Sequence, residues 1–217
     1  MDPSGGAGIL ADVKTMSALG TYACAVVAAL TAQNTRGVTG VQAITPEFIK
    51  LQLDTLFADV KIDAVKIGML GHENATLTVT EKLVQFKPEY IVLDPVMVAK
   101  SGDVLLEKKA IHALKENLLP QSTMITPNLP EAGVLLGTYP VESLREMYRV
   151  AEQLRKLMSG HDNKWVLLKG GHLPGNDTVD LLHDGDKMIE LPGQRIETKN
   201  THGTGCTLSA AICALLP

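Results

Sequence analysis

Short apolar runs of strand length alternate with helix-forming segments along most of this chain. In the helical segments apolar residues recur every three to four positions, whereas the runs between them are bounded by turn residues. That alternation is typical of βαβ units, in which crossover helices join parallel strands. The sequence therefore predicts an α/β fold with a mostly parallel central sheet. Its strands are expected at Ala64 to Ile67, Tyr90 to Leu93, Met124 to Thr126 and Trp165 to Leu168.

Along the chain, helices are predicted before and between these apolar runs. The clearest start lies at Thr45, a capping residue, followed by Pro46, which suits the first position of a helix. The predicted helices are Ile9 to Leu19, Pro46 to about Ala58, one that ends at Phe86, Glu107 to Leu119, and about Ser143 to Met158.

Two segments add to this pattern. Tyr22 to Leu30 is the longest apolar run and is predicted to be a further buried strand, which ends in the polar residues Thr31 to Gly37. The segment LLHDGDKMIEL, residues 181–191, predicts an antiparallel hairpin that turns at Asp184 and Gly185.

Composition limits the class of protein. A chain of 217 residues is predicted to form a single domain, residues 1–217. The net charge of −4 argues against a nucleic-acid partner. Three cysteines, Cys24, Cys206 and Cys213, show no disulfide or zinc spacing and favour a reducing compartment, the cytoplasm. The longest apolar run is too short to cross a membrane.

Two glycine-rich loops each precede a helical segment. The first is DPSGGAG, Asp2 to Gly8, and the second lies in NTHGTGCTLSAAICAL, residues 200–215. Unpaired N–H groups and the positive end of the dipole make a helix start an anion site. No strand precedes DPSGGAG, so the fingerprint of a nucleotide-dependent oxidoreductase is not met.

The second loop carries a thiol at its end. Gly203, Thr204 and Gly205 lead directly to Cys206. A thiol at a helix start is expected to have a pKa below its usual value of about 8.5, which suits a base or nucleophile. The alternative is a tight turn in which Cys206 is only a small buried apolar residue.

Polar residues and glycines follow the predicted strands. Because the carboxyl ends of parallel strands meet at one edge of a sheet, these residues are expected to line one crevice. Carboxylates together with phosphate oxygens suit Mg²⁺, and a lysine supplies positive charge for phosphate, so the set favours phosphoryl transfer. The residues are Gln33, Asn34, Gly68, Met69, Asp94, Asn128, Glu131, Lys169, Gly170 and Gly171.

Each of these side chains also has a purely structural explanation. The alternatives are a strand-end turn for Asp94, a first-turn helix acid for Glu131, a solvated side chain for Lys169, a turn cap for Gln33, core packing for Met69 and an exposed helix acid for Asp12. His202 reads as a loop histidine without a metal-binding role. Lys100, Ser101 and Gly102 suit a mobile surface loop or a lid.

Taken together, seven segments carry a family resemblance. In chain order they are DPSGGAG, TAQNTRG, KIGML, LDPVM with AKSGD, ITPNLPEA, LLKGGH and NTHGTGCTLSAA. They resemble the hydroxymethylpyrimidine/phosphomethylpyrimidine kinases of thiamine biosynthesis, members of the ribokinase-like family with a three-layer α/β/α sandwich. The resemblance implies ATP-dependent phosphorylation of the hydroxymethyl group of 4-amino-5-hydroxymethyl-2-methylpyrimidine, and then a second phosphorylation of the monophosphate.

The resemblance also implies roles for individual residues. By position, Gln33, the backbone near Met69, and Asp12 match the pyrimidine site, Asp94 and Glu131 the magnesium site, Lys169, Asn128 and Thr204 the ATP site, and Gly203 to Cys206 the anion hole. Cys206 stands where most ribokinase-like enzymes have an aspartate base. It is therefore expected to receive the proton of the substrate hydroxyl.

Other functions and forms stay open. Family members begin with a strand before the first glycine loop and continue beyond the helix that ends here at Pro217, so a sheet without its first strand and an incomplete adenine pocket are expected. A pyridoxal kinase of the same branch shares the GTGC-like loop. A nonenzymatic product that binds only the pyrimidine is a further alternative, and the sequence allows a homo-oligomer.

Overall fold

The computed structural model describes residues 1–97, 108–138, 141–158, 163–175 and 177–217. Within these ranges the helices are Gly8–Ala18 (α1), Pro46–Asp59 (α2), Glu73–Phe86 (α3), Lys108–Ala113 (α4), Leu129–Leu136 (α5), Leu144–Leu157 (α6) and Thr204–Leu215 (α7). The strands are Ala29–Asn34 (β1), Gly37–Ala43 (β2), Ala64–Ile67 (β3), Tyr90–Leu93 (β4), Met124–Ile125 (β5), Trp165–Leu168 (β6), Asp177–His183 (β7) and Met188–Gln194 (β8).

The central sheet has the strand order β3-β4-β5-β6-β7-β8. The first four strands are parallel, whereas β7 and β8 are antiparallel to their neighbours. A separate antiparallel hairpin is formed by β1 and β2. The prediction of an α/β fold with a mostly parallel sheet is confirmed.

Helices cover both faces of the sheet. Along β4, Ile91 and Leu93 belong to the larger core, which also contains residues of α2 to α6. Val92, which points to the opposite face, belongs to a second core with Cys213 of α7, and Met16 of α1 packs against it. Because successive strand residues face opposite sides, one apolar strand serves both cores, and the result is a three-layer α/β/α arrangement.

The predicted strands and caps of the central sheet match the structure closely. The four parallel strands begin at Ala64, Tyr90, Met124 and Trp165, as their sequences predict. The hydroxyl of Thr45 accepts a hydrogen bond from the N–H of Phe48 at 3.3 Å and caps α2. The β7–β8 hairpin closes at the His183–Met188 pair, and Gly185 supplies a φ of +109° in its turn.

The prediction of a buried strand over Tyr22 to Leu30 is wrong. Tyr22 is 88% exposed, and only Ala29 and Leu30 of this run belong to a strand, β1. The strand instead continues through Asn34, into the polar residues at which the predicted strand ends. At Val27 the side chain of Gln52 takes the place of a neighbouring strand. Its amide oxygen accepts from the Val27 N–H at 2.9 Å, and its amide nitrogen donates to the Val27 carbonyl at 3.0 Å. Apolar character alone does not determine which partner satisfies the backbone.

Some predictions concern other parts of the chain. The predicted loop or lid at Lys100, Ser101 and Gly102 and the predicted helix start at Glu107 lie outside the described residues. Among the helices of the described ranges, none has both the length and the apolar character needed to cross a bilayer.

Two helices bring the glycine-rich loops to the same edge of the sheet. α1 and α7 pack against each other, and α7 also packs on β3 and β4. Met1 pairs with β1, because its amino group donates to the Ala29 carbonyl and its own carbonyl accepts from the Thr31 N–H. The first loop therefore starts beside β1 and ends at α1, next to the start of α7.

Candidate active site

The two glycine-rich loops are in direct backbone contact. Gly203 has a φ of +75°, and a Cβ at this position would lie only 1.7 Å from the carbonyl oxygen of Gly6. A Cβ at Gly6 would in turn lie 2.5 Å from Cδ2 of His202. The first clash is with backbone at a positive φ and requires glycine at position 203, whereas a side chain at Gly6 would displace the His202 ring.

The N-terminus of α7 has the free donors of an anion site. Its N-cap is Gly203, and no side chain caps the helix. The N–H groups of Gly205 and Cys206 have no acceptor within the part of the chain that the structure describes. Thr204 uses its hydroxyl to bond the Thr201 carbonyl at 3.1 Å. The predicted anion hole therefore has backbone donors aimed past the helix start.

On one side of this helix start lies a cluster of charged side chains. Asp94, directly after β4, is 1% exposed and accepts hydrogen bonds from Thr126 at 3.2 Å, from Lys169 at 3.3 Å and from Ser209 of α7 at 3.4 Å. A Cβ at Gly205 would lie 3.4 Å from the Lys169 Nζ and 3.6 Å from the Asp94 Oδ2. The structure thus brings Asp94, Lys169 and the glycine loop together, as predicted from the strand ends.

Asn128 and Glu131 belong to the same cluster and also cap α5. The Asn128 side chain accepts from the Glu131 N–H, and the Glu131 carboxylate accepts from the Asn128 N–H, each at 2.8 Å. Burial, reinforced by the negative charge of Asp94, raises the pKa of Glu131 to about 7 against the opposing effects of Lys169 and the Asn128 N–H. Glu131 is therefore both a helix-capping acid and a buried carboxyl group beside Lys169.

The donor chemistry of this cluster fits a hard divalent cation. The cluster contains two carboxylates, Asp94 and Glu131, and the negative charge of Asp94 adds to the effect of burial in raising the pKa of Glu131. Among the described residues no group of three His, Cys, Asp or Glu side chains is placed to hold a metal. An ion bound here would need further oxygen ligands, which is typical of a cation shared between protein carboxylates, water and phosphate.

On the other side of the α7 start lies a cavity of about 620 Å³. It extends between the segment that precedes β1 and strand β3. Asp12, Gln33, Met69 and Cys206, all predicted from the sequence as substrate or catalytic residues, line its walls. These four residues come from α1, β1, the end of β3 and α7.

Two wall residues owe their position to local strand geometry. Burial alternates along β1, so Gln33 lies on the same face as Thr31, and the irregular pairing between Ala32 and Gln33 places its extra residue in β2. The Gln33 amide oxygen accepts a hydrogen bond from the Thr31 hydroxyl at 2.9 Å. Met69 lies just past the end of β3 and is only partly buried, so it borders the cavity rather than filling the core.

Asp12 is not the exposed helix acid that its position in α1 allows. It is 8% exposed and both of its carboxylate oxygens bond the Lys66 ammonium at 2.9 Å. Burial alone would lower the pKa of Lys66, but the nearby Cys206, Asp12 and Asp94 raise it above its usual value. Sequence reasoning missed Lys66. The signal was a lysine inside the otherwise apolar strand AVKI.

The expectation of an unusually acidic Cys206 thiol is wrong. The Cys206 Sγ accepts a hydrogen bond from the Gly8 N–H at 3.4 Å, and Lys66 lies nearby. Both favour the thiolate, but burial and the carboxylates Asp94 and Asp12 outweigh them and raise the pKa of Cys206 above its usual value. A helix start lowers a thiol pKa only when the surroundings do not desolvate the thiolate.

His202 has a partner that its place in a loop did not reveal. Its Nε2 lies 2.7 Å from Oδ2 of Asp2, a carboxylate that is 3% exposed. Sequence reasoning missed Asp2 as well. The only signal in the sequence was that Asp2 belongs to the first glycine-rich motif and His202 to the second.

Comparisons with known proteins identify the family of this chain. The sequence model of the family described as Phosphomethylpyrimidine kinase matches residues 2–217. The chain is 50% identical to the hydroxymethylpyrimidine/phosphomethylpyrimidine kinase of Escherichia coli K12, over 100% of this chain and 80% of that protein.

Solved structures show the same fold. The phosphomethylpyrimidine kinase of Clostridium difficile 630 superposes with a TM-score of 0.86 and 41% identity, over 100% of this chain and 87% of that one. The pyridoxal kinase of Staphylococcus aureus in complex with AMP-PCP gives a TM-score of 0.88 and 34% identity, over 99% of this chain and 77% of that one. The fold is therefore that of the ribokinase-like kinases, and the chain belongs to the phosphomethylpyrimidine kinase family.

Proposed function

We propose that this chain transfers the γ-phosphoryl group of ATP to the hydroxymethyl group of 4-amino-5-hydroxymethyl-2-methylpyrimidine, and that it then phosphorylates the monophosphate. One observation carries the proposal. The N-terminus of α7 separates the cavity lined by Asp12, Gln33 and Cys206 from the charged cluster of Asp94 and Lys169. A helix start between an acceptor cavity and a phosphate-binding cluster is the arrangement that phosphoryl transfer needs.

The backbone of the second glycine loop is proposed to hold the transferred group. The unpaired N–H groups of Gly205 and Cys206 would donate to oxygens of the γ-phosphate, and Gly203 makes this geometry attainable. Each well-placed donor of this kind contributes roughly 3 kcal/mol to the stabilisation of developing charge. Thr204 and Asn128 are proposed to border the bound nucleotide.

The charged cluster is proposed to hold the phosphates and a magnesium ion. Asp94 and Glu131 would share the ion, which when bound neutralises charge on the phosphate oxygens. Lys169, 3.3 Å from Asp94, would supply a fixed positive charge to the same phosphates. Burial and, to a lesser extent, Asp94 raise the pKa of Glu131, and a cation bound beside it would favour loss of this proton because positive charge stabilises the carboxylate.

Cys206 is proposed to take up the proton of the acceptor hydroxyl. Since its pKa is raised, the resting thiol is protonated at neutral pH, and only a small thiolate fraction is available. Lys66 favours that thiolate.

The test is a product assay. Purified protein is incubated with the pyrimidine alcohol and Mg-ATP, and the mono- and diphosphate are separated and quantified. Formation of both supports the proposal. A parallel reaction with pyridoxal tests the second candidate, since the chain is also 34% identical to a pyridoxal kinase at a TM-score of 0.88, although its 50% identity to a pyrimidine kinase is higher. Faster turnover of pyridoxal would overturn the choice of substrate. Calorimetry with each ligand alone would identify a nonenzymatic pyrimidine-binding protein.

Composition supports three coarser proposals. A net charge of −4 supports the absence of a nucleic-acid partner. Three free cysteines, Cys24, Cys206 and Cys213, support a reducing compartment such as the cytoplasm. A single domain over residues 1–217 is proposed from the length. The oligomeric state is measured directly by light scattering.

A further inference from the structure

Asp2 is a buried carboxylate on which four donors converge. Its Oδ1 accepts from the Ser4 N–H at 2.9 Å, and its Oδ2 accepts from the Ser4 hydroxyl at 2.8 Å, the Ala7 N–H at 3.1 Å and His202 at 2.7 Å. Burial alone would raise the pKa of Asp2, but the bonds from His202, Ser4 and Ala7 lower it below its usual value. The carboxylate is thus ionised in its folded surroundings and joined to both glycine loops.

The two loops that Asp2 joins both shape the proposed site. The first loop contains Gly8, whose N–H bonds the Cys206 Sγ. The second contains Gly203, whose Cα lies against the backbone of Gly6, and His202, whose ring lies against Gly6. A shift of one loop relative to the other would move the α7 donors and the thiol together.

We propose that Asp2 and His202 are positioning residues, which fix the two glycine loops at the spacing that phosphoryl transfer requires. The Asp2 carboxylate borders the cavity, but donors from Ser4, Ala7 and His202 occupy its oxygens, so the pair acts through the positions of Gly203 and Cys206. The catalytic effect of this pair rests on the proposed function. The spacing of the loops itself can be measured without any substrate.

The kinetic test uses Asp2→Asn, His202→Ala and His202→Gln. Asp2→Asn removes the charge and His202→Ala the ring donor, whereas the amide of Gln can still donate to Asp2. Since a misplacement of about 1 Å can cost on the order of 100-fold in rate, kcat is expected to fall about 10- to 100-fold in the first two variants. KM for the pyrimidine is expected to stay within about twofold, and His202→Gln to recover most of kcat.

A matched control is available on the β7–β8 turn. Asp184 also organises a loop, accepting from the N–H groups of Asp186 and Lys187, but it lies outside the site. Asp184→Asn is expected to leave kcat unchanged. If His202→Ala and Asp2→Asn lower the melting temperature but leave kcat of the folded protein unchanged, the pair is merely structural and the proposal is overturned.

A second readout separates this proposal from the proposed function. The rate of Cys206 alkylation by iodoacetamide, followed peptide by peptide with mass spectrometry, reports how tightly the first loop covers the thiol. Alkylation is expected to accelerate at least about fivefold in Asp2→Asn and His202→Ala, and not in Asp184→Asn. Unchanged alkylation would contradict the positioning role even in a protein that turns over its substrates. Accelerated alkylation without any turnover in the wild type would instead contradict only the proposed function.

Discussion

At the scale of single residues, Gly203 and Gly205 stand two positions apart but face different surroundings. Gly203 is held at a positive φ against the backbone of Gly6, which cannot move aside without displacing the first loop. Gly205 has open space for a methyl group, bordered by Lys169 and Asp94 at van der Waals distance. The first glycine is therefore required by the fold, whereas the fold alone tolerates a methyl group at the second.

Alanine substitutions are expected to separate these two requirements. Gly203→Ala should lower the free energy of unfolding by more than about 2 kcal/mol, because the strain of a positive φ adds to the clash of the new Cβ with the Gly6 carbonyl. Gly205→Ala should leave stability unchanged, while kcat falls at least about tenfold since the methyl group occupies the phosphate side of the helix start. Urea unfolding and steady-state kinetics measure the two effects. Equal stability of both variants would contradict the assignment of Gly203.

Cys206 has a raised pKa, and this gives its proposed role a pH signature. If the thiolate is the base, kcat should rise with pH across the neutral range, because the thiolate fraction grows until the pH passes the thiol pKa. Cys206→Ala should lower kcat by roughly 100-fold or more and flatten this rise. Asp184→Asn, on the β7–β8 turn outside the site, is the control and should retain both. Unchanged phosphorylation by Cys206→Ala would leave only the backbone of the loop as the catalytic feature.

At the scale of elements, two helices carry the same capping box in opposite environments. In α5 the box of Asn128 and Glu131 is buried beside Asp94 and Lys169, whereas in α6 the box of Ser143 and Glu146 is exposed. Burial raises the pKa of Glu131 to about 7, from an ordinary 4.5. The pKa of Glu146 is lowered, chiefly by the hydrogen bond from the Glu142 N–H.

This contrast predicts how stability depends on pH. Between pH 4.5 and 7 the folded state holds the Glu131 proton and the unfolded state does not, so the free energy of unfolding falls as pH rises. The effect is at most on the order of 3 kcal/mol. Glu131→Gln keeps the cap and should remove this fall in urea titrations at pH 5 and pH 8. The pKa of Glu146 is lowered, so this group stabilises the folded state at pH values above the pKa that it has in the unfolded chain. Glu146→Gln leaves Glu131 in place, and its free energy of unfolding should still fall as pH rises. Parallel profiles for wild type and Glu131→Gln would contradict the assignment.

The segment before β1 depends on one glutamine. Gln52 of α2 satisfies both the N–H and the carbonyl of Val27, where no strand is paired. Gln52→Ala should cost about 1–3 kcal/mol of stability and accelerate hydrogen exchange at the Val27 amide. The exposed Gln42, whose amide bonds only the adjacent Ala43 carbonyl, is the control, and Gln42→Ala should change neither quantity. Slow exchange at Val27 in Gln52→Ala would show that another group pairs this backbone.

At the scale of the whole molecule, the start of α7 divides the proposed active site into two halves. The cavity half is built by α1, β1 and β3, and the charged half follows β4, β5 and β6. The parallel strands β3 to β6 bring their ends to one edge of the sheet, and α1 and the separate hairpin strand β1 complete the cavity half.

This division predicts that the affinities for the pyrimidine and for Mg-ATP can be lowered independently. Gln33→Ala should weaken binding of the pyrimidine about tenfold or more, in line with the loss of a hydrogen bond in a cavity, and leave Mg-ATP affinity within about twofold. Lys169→Met should weaken binding of Mg-ATP about tenfold or more and leave the affinity for the pyrimidine within about twofold. Titration calorimetry of each variant with each ligand measures all four affinities. Equal weakening of both ligands by either variant would contradict two separate halves.

Local sequence determined much of this architecture. The apolar runs marked the four parallel strands, Thr45 marked a cap, and the residues after the strands marked Asp94, Glu131 and Lys169, because strand, cap and sheet-edge positions follow from spacing along the chain. Which of these residues bind ligands stays a prediction. Only the tertiary structure decided the exposure of Tyr22, the Lys66–Asp12 pair, the Asp2–His202 contact and the raised pKa of Cys206. Burial and electrostatic surroundings depend on neighbours that are distant in sequence, so no local pattern contains them.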